Sequence, residues 1–179
     1  MAGQGGQGRG AARPIEVKPY DPAWARNFAA IKAEIAAALG GLALRIEHVG
    51  STAVPGLAAK PVIDIDVVIE DYAAFPAAAA KLAAIGYRHE GDLGVAGREA
   101  FAYDGKSHLQ KHHLYVCPQN SAELRRHLGF RDYLRAHPEA AREYGRIKEE
   151  GARLWPRDID KYLAHKAPFI AKVYREIGA

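Results

Sequence analysis

The chain has one cysteine, Cys117, in 179 residues, so no internal disulfide can form and redox chemistry has little support. The thiol stands in a strand-like run, where a buried, inert side chain is expected. No apolar run approaches the roughly 20 residues that a bilayer-spanning helix needs. The opening "MAGQGGQGRGAARP" also lacks the apolar middle of a secretory signal. These absences predict a soluble, cytoplasmic protein with no membrane partner. The first 13 residues have neither aromatic nor branched side chains, hence nothing to bury against the entropy of ordering, and residues 1–13 are expected to form a disordered tail. Internal repeats are absent as well.

What is present is a hydrophobic fraction of 49%, enough for one domain with a sizeable core over residues 14–179. The formal charge of +4 is unevenly placed: residues 1–120 carry 12 basic and 12 acidic side chains, and residues 121–179 carry 13 and 9. A basic surface on the last third would attract anionic ligands such as nucleotides or RNA. A set of solvated helix faces accounts for the same imbalance.

Hydrophobic periodicity gives the order of elements. A helix is predicted after Asp21 as N-cap with Pro22 in its first turn, carrying Phe28, Ile31, Ile35 and Leu39 as its apolar stripe and ending at Gly40 and Gly41. "LALRIEHVG" reads as a strand. "KPVIDIDVVIE" is the clearest strand, with Ile63, Ile65, Val67 and Ile69 alternating with Asp64 and Asp66. A helix over residues 75–85 follows, closed by Gly86, and then "REAFAYDG" and "KHHLYVCP" read as two strands joined by a turn around Gly105. From Ser121 the pattern is helical, broken at Pro138, with Pro168 near the first turns of a last helix or at a break. Sheet first (about residues 14–120) and helices after (about 121–179) is an α+β order: a mixed sheet with helices on one face and a helical C-terminal part.

Residues two apart on a strand project to the same side, so Asp64 and Asp66 lie together while their apolar neighbours enter the core. Two adjacent carboxylates are tolerated when exposed, when one is protonated, or when a divalent cation lies between them. Upstream, Gly50 lets backbone approach a ligand, the Ser51 and Thr52 hydroxyls could donate to phosphate oxygens, and Lys60 could add charge. Taken singly, each half reads more readily as a turn and a solvated acidic face than as a ligand site.

The combination resembles the DNA polymerase β-type nucleotidyltransferase signature, a Gly-Ser pair followed by Asp, an apolar residue and Asp on a strand. More closely, "RIEHVGSTAVPGLAAKPVIDI", "KHHLYV", "FRDYLRAHPEAAREY" and "YLAHKAPFI" resemble the GrpB-like family (UPF0157), often described as a nucleotidyltransferase branch and in places fused to dephospho-CoA kinase. The resemblance implies a nucleotidyltransferase-type sheet, Gly50 and Ser51 on the phosphates of an NTP, and Asp64 and Asp66 on Mg²⁺ or Mn²⁺. An NMP would be transferred to an unidentified acceptor. It equally allows a non-catalytic nucleotide-binding or accessory domain.

The superfamily's third carboxylate comes from a later strand, and here "KHHLYVC" carries no acid. If Leu114 and Val116 face the core, Lys111, His113 and Tyr115 share the side of the aspartates, which puts His113 in the third position as metal ligand, general base or cationic partner. Three outcomes follow: His113 replaces the acid, the acceptor needs no strong base, or only nucleotide binding survives. Further candidates are His48, which could orient the Gly-Ser turn or simply end its strand, and Arg98 with Glu99. Arg131, Lys161 and Lys166 could make phosphate or base contacts, with His165 one turn from Lys161. The aromatic residues of the helical part, Tyr144, Tyr162 and Phe169 among them, read as core.

Overall fold

The computed structural model describes residues 13–179; apart from Arg13, the expected tail lies outside the described residues. Helix α1 spans Ala23–Leu39. The Asp21 carboxylate accepts a 2.8 Å hydrogen bond from the Ala23 N–H, so Asp21 does satisfy an orphan donor, while Pro22 stands just outside the helix instead of in its first turn. Ile31, Ile35 and Leu39 are buried on one stripe.

Five strands make one mixed sheet: β1 (Arg45–Val49), β2 (Ile63–Ile69), β3 (Tyr87–Gly91), β4 (Glu99–Tyr103) and β5 (His112–Pro118), in the order β1-β2-β5-β4-β3. Strands β2 and β5 pair in parallel, and the other neighbours are antiparallel. Helix α2 (Phe75–Ala84) follows β2. The sequence pattern gave no strand at β3. There only Tyr87 is fully buried, so the alternation of a half-buried strand is missing, and pairing to β4 at the sheet edge holds the segment instead.

The sheet has two different faces. Ile63, Ile65, Val67 and Ile69 of β2, with Leu114 and Val116 of β5, form the main core against Trp24, Ile31 and Ile35 of α1 and Ala78 and Leu82 of α2. The opposite face, carrying Asp64 and Asp66, meets the helical part: α3 (Ala122–Ala136), α4 (Pro138–Leu154) and α5 (Ile159–Glu176). Ser121 caps α3 by accepting from the Leu124 N–H at 3.2 Å. Pro138 opens α4 as expected, but Pro168 lies inside α5 and makes no break.

A second core clamps the long β1–β2 connection to these helices, with Val54 and Leu57 inserted among Leu134, Tyr144, Phe169 and Val173. The turn after β1 is thereby fixed between sheet and helices. Cys117 is fully buried, and burial pushes its thiol up, away from reactivity. No helix among the described residues is long and apolar enough to cross a membrane.

Candidate functional site

Strand β1 ends at Val49, directly opposite Asp64 in the antiparallel register. The next residue, Gly50, has φ of 71°, and a Cβ there would stand 2.3 Å from Asp64 Oδ2. Only glycine meets both conditions, a positive φ and a backbone pressed on a carboxylate. Gly50 therefore serves the aspartate directly. A short 3-10 turn, Ser51–Ala53, follows.

His48 braces this turn from below. Its Nε2 lies 2.9 Å from Thr52 Oγ1, and that hydroxyl donates onward to the Val62 carbonyl at 3.4 Å, so the ring nitrogen is the donor. The ring stacks on Phe28 at 4.6 Å, and burial holds the imidazole down to about 4, which keeps it neutral at physiological pH. Thr52 is 3% exposed, and its hydroxyl is committed to the scaffold, whereas the Ser51 side chain lines the cleft beside Tyr144.

The two aspartates have different surroundings. Asp64 faces His113 across the β2–β5 pair, and Asp64 Oδ1 lies 2.8 Å from His113 Nδ1, with the two side chains 32% and 48% exposed. Asp66 is fully buried. Its Oδ2 lies 2.7 Å from His127 Nδ1 on α3, and His127 Nε2 lies 3.1 Å from Glu123. Burial works against charge on His127, yet hydrogen bonds to Asp66 and Glu123 prevail and raise it to about 9. Burial also pushes Asp66 upward while His127 pulls it back; the imidazolium flanked by two carboxylates is the form both bonds favour.

His127 was not among the residues singled out from sequence. A signal existed: Glu123, His127 and Arg131 follow one another at intervals of four, a polar stripe on a single face of α3. Arg131, expected at a phosphate, instead bonds Glu47 at 2.8 Å and the His48 carbonyl at 3.1 Å. Arg135 likewise donates twice to the Ala53 carbonyl. Lys161 pairs with Asp158 at 3.2 Å and His165 with Glu150 at 3.4 Å. Arg98 lies over the Tyr115 ring, and Glu99 bonds His89. These basic groups serve the fold.

One small cleft gathers the rest. A cavity of about 60 Å³ is lined by Ser51, Thr52, Lys60, Asp64, His113 and Lys166, together with Lys148 and Tyr162. Gly50 lies behind Asp64 and outside this lining, and Asp66 is a full residue pair deeper. Lys148 was not foreseen, because a lysine in "REYGRIKEEGARL" looks like any other on a charged helix. It is 2% exposed, and its Nζ has no hydrogen-bond partner. Burial, and then Lys166, bring it down to about 7; burial and Lys60 lower Lys166 as well. Larger grooves of about 300 and 660 Å³ border Gly56 and α4, but they hold no carboxylate–histidine pair.

Among the described residues, no group of three His, Cys, Asp or Glu side chains is placed to hold a metal ion. The donor set still fits one hard cation shared with a ligand, because Mg²⁺ commonly takes one or two carboxylates and completes its shell with phosphate and water. Asp64 is partly open, and Asp66 Oδ1 is buried with no partner.

Residues 14–176 match the family described as GrpB protein. The chain is 35% identical over 158 residues to UPF0157 protein YqkA of Bacillus subtilis, covering 88% of this chain and 46% of YqkA. It is 40% identical over 161 residues to UPF0157 protein PA4798 of Pseudomonas aeruginosa, covering 89% and 66%. The chain thus spans about half and about two thirds of these relatives. A dephospho-CoA kinase of Mycolicibacterium paratuberculosis is 30% identical over 190 residues, 92% of this chain and 46% of that protein. Among solved structures, the conserved protein GrpB from Enterococcus faecalis superposes with a TM-score of 0.80 at 37% identity, covering 90% of this chain and 96% of that one. The Cid1 poly(U) polymerase with MgGTP bound superposes at 0.55 and 12% identity, covering 76% and 44%; this likeness establishes a nucleotidyltransferase-type fold.

Proposed function

The chain belongs to the GrpB protein family, and from that premise we propose that its cleft binds the phosphates of a nucleoside triphosphate and transfers the nucleoside monophosphate to an acceptor. The observation that carries this reading is the convergence of Ser51, Lys60, Asp64, His113, Lys148 and Lys166, from five segments (the β1–β2 connection, β2, β5, α4 and α5), on one cavity. None of the three lysines has a carboxylate within salt-bridge distance among the described residues. They form a wall of amines facing the place of phosphate oxygens.

With Asp64 ionised, His113 Nδ1 must carry the hydrogen of the 2.8 Å contact, which leaves the lone pair on Nε2. An acceptor hydroxyl gives its proton to Nε2 as its oxygen bonds to the α-phosphorus. The bond from that phosphorus to the bridging oxygen breaks, and pyrophosphate leaves against the lysines. Asp64 and Asp66 would hold the divalent cation, whose chemistry when bound is to neutralise phosphate charge and polarise the phosphoryl oxygens. The test is release of pyrophosphate from each NTP, with Mg²⁺ or Mn²⁺ and an acceptor pool, by wild type and Asp64→Asn. Release by wild type that falls at least a hundredfold in the variant supports transfer; release that is unchanged refutes this site.

A second reading, metal-dependent nucleotide binding without turnover, is favoured by two observations: Asp66 already pairs with His127, and β5 offers a histidine in place of an acid. Saturable NTP binding, lost in Asp64→Asn, with no pyrophosphate from any acceptor would select it. The dephospho-CoA kinase that contains a related segment is consistent with such an accessory role.

A further inference from the structure

An ammonium group that is 2% exposed normally has a carboxylate or several carbonyls around it. Lys148 has neither, and its Nζ lacks any hydrogen-bond partner. It reaches the cleft from the third turn of α4, 4.7 Å from the centroid of the Tyr144 ring. From α5, Lys166 and Tyr162 line the same cavity, and Lys60 enters from the β1–β2 connection. Asp64 of β2 and His113 of β5 close its floor, already bonded to each other. Glu149, beside Lys148 on α4, adds a favourable field but makes no bond to it. A buried lysine between two other lysines is costly unless something anionic joins it.

Resting on the reading that the cleft takes phosphates, we propose that Lys148 receives one phosphate group of the ligand and takes up a proton from solvent as that phosphate enters. The cavity, at about 60 Å³, is well below the roughly 300 Å³ at which small-molecule pockets begin. It matches a single tetrahedral anion, and sugar and base would lie outside it. In the free protein the amine is mostly neutral above its lowered value of about 7. A phosphate dianion in contact restores the charged form. Affinity must then fall as pH rises, because the proton needed by the complex becomes scarcer.

Calorimetric titration of inorganic tripolyphosphate, and separately of ATP, into the full chain at about pH 8.5 tests this in two buffers of different ionisation enthalpy. The terminal phosphate of ATP, with a second pKa of about 6, is already ionised there, and any proton carried by tripolyphosphate is the same for wild type and variants and is subtracted by comparing them. Close to one proton taken up per ligand is expected in wild type, and close to none in Lys148→Arg, which is always charged, or in Lys148→Met. Wild-type affinity should fall about tenfold per pH unit from about pH 7.5 to 9, with a flat profile for Lys148→Arg. Binding without proton uptake, or uptake that survives in both variants, overturns the inference and leaves the phosphate site standing. No binding of either ligand to wild type, with Mg²⁺ or without it, overturns the inference and the nucleotide reading together.

Discussion

The Asp66 carboxylate accepts a 2.7 Å hydrogen bond from Nδ1 of His127 on α3, and no part of Asp66 reaches solvent. Its neighbour Asp64 is bonded to a histidine of the sheet and opens on the cleft. One strand thus presents a buried and an open carboxylate two residues apart. The expected consequence is a division of phenotypes. Asp66→Ala leaves His127 Nδ1 buried without an acceptor while Glu123 still balances the ring's charge, and lowers stability by about 1–3 kcal/mol, read as a shift of the urea midpoint. Asp64→Asn, at a partly solvated position, leaves that midpoint within about 0.5 kcal/mol of wild type while removing nucleotide binding or turnover.

Gly50→Ala is expected to damage the site from behind. The methyl group must displace Asp64 Oδ2, which stands 2.3 Å from its ideal position, and the backbone must hold a φ of 71° that alanine disfavours by about 1–2 kcal/mol. Thermal unfolding should show a loss of about 2–3 kcal/mol, together with weakened NTP binding. The conservative variant Ser51→Ala, by contrast, should fold normally and lose only affinity.

His113→Gln separates catalysis from binding. Glutamine retains a donor toward Asp64 but has no basic nitrogen, so an enzyme relying on Nε2 loses about a hundredfold or more in kcat, with KM for the NTP changed little. An unchanged kcat in a protein with proven turnover would mean that the acceptor needs no base from this strand.

Lys148 predicts an unusual pH dependence of stability in the free protein. Its folded value of about 7 lies below the ordinary lysine value of about 10.4. Between these limits the unfolded chain binds a proton that the folded chain lacks, so Lys148 contributes stability that rises with pH across this window, against a fall contributed by His127, whose folded value of about 9 lies above the ordinary histidine value. Lys148→Met removes the Lys148 contribution, so its stability relative to wild type is greater at about pH 6 than at about pH 9 by about 3 kcal/mol. Lys166, lowered in the same direction, leaves a smaller slope behind. Urea midpoints from about pH 6 to about pH 9 measure both effects.

Much of this was legible in the chain itself. The alternation of Ile63, Ile65 and Val67 with Asp64 and Asp66, the break at Pro138 and the cap at Asp21 are local signals, read from neighbours a few residues away. Strand β3 escaped because edge pairing, and not burial, holds it. Of the residues singled out from the motif, from strand alternation and from the basic helical part, Ser51, Thr52, Lys60, Asp64, His113 and Lys166 line one cavity, while Gly50 and Asp66 stand outside its lining.

The sequence by itself determined the elements, the family and which side chains lie on one sheet face, since each follows from period, cap or motif. Tertiary structure decided their chemistry. His127 meets Asp66 across 61 residues and closes it, His113 meets Asp64 across 49 and leaves it open, and α4 carries Lys148 into the cleft unpaired. No local pattern encodes these outcomes, because charge state and reactivity depend on burial and on partners that only the packing of α3, α4 and α5 against the sheet brings together.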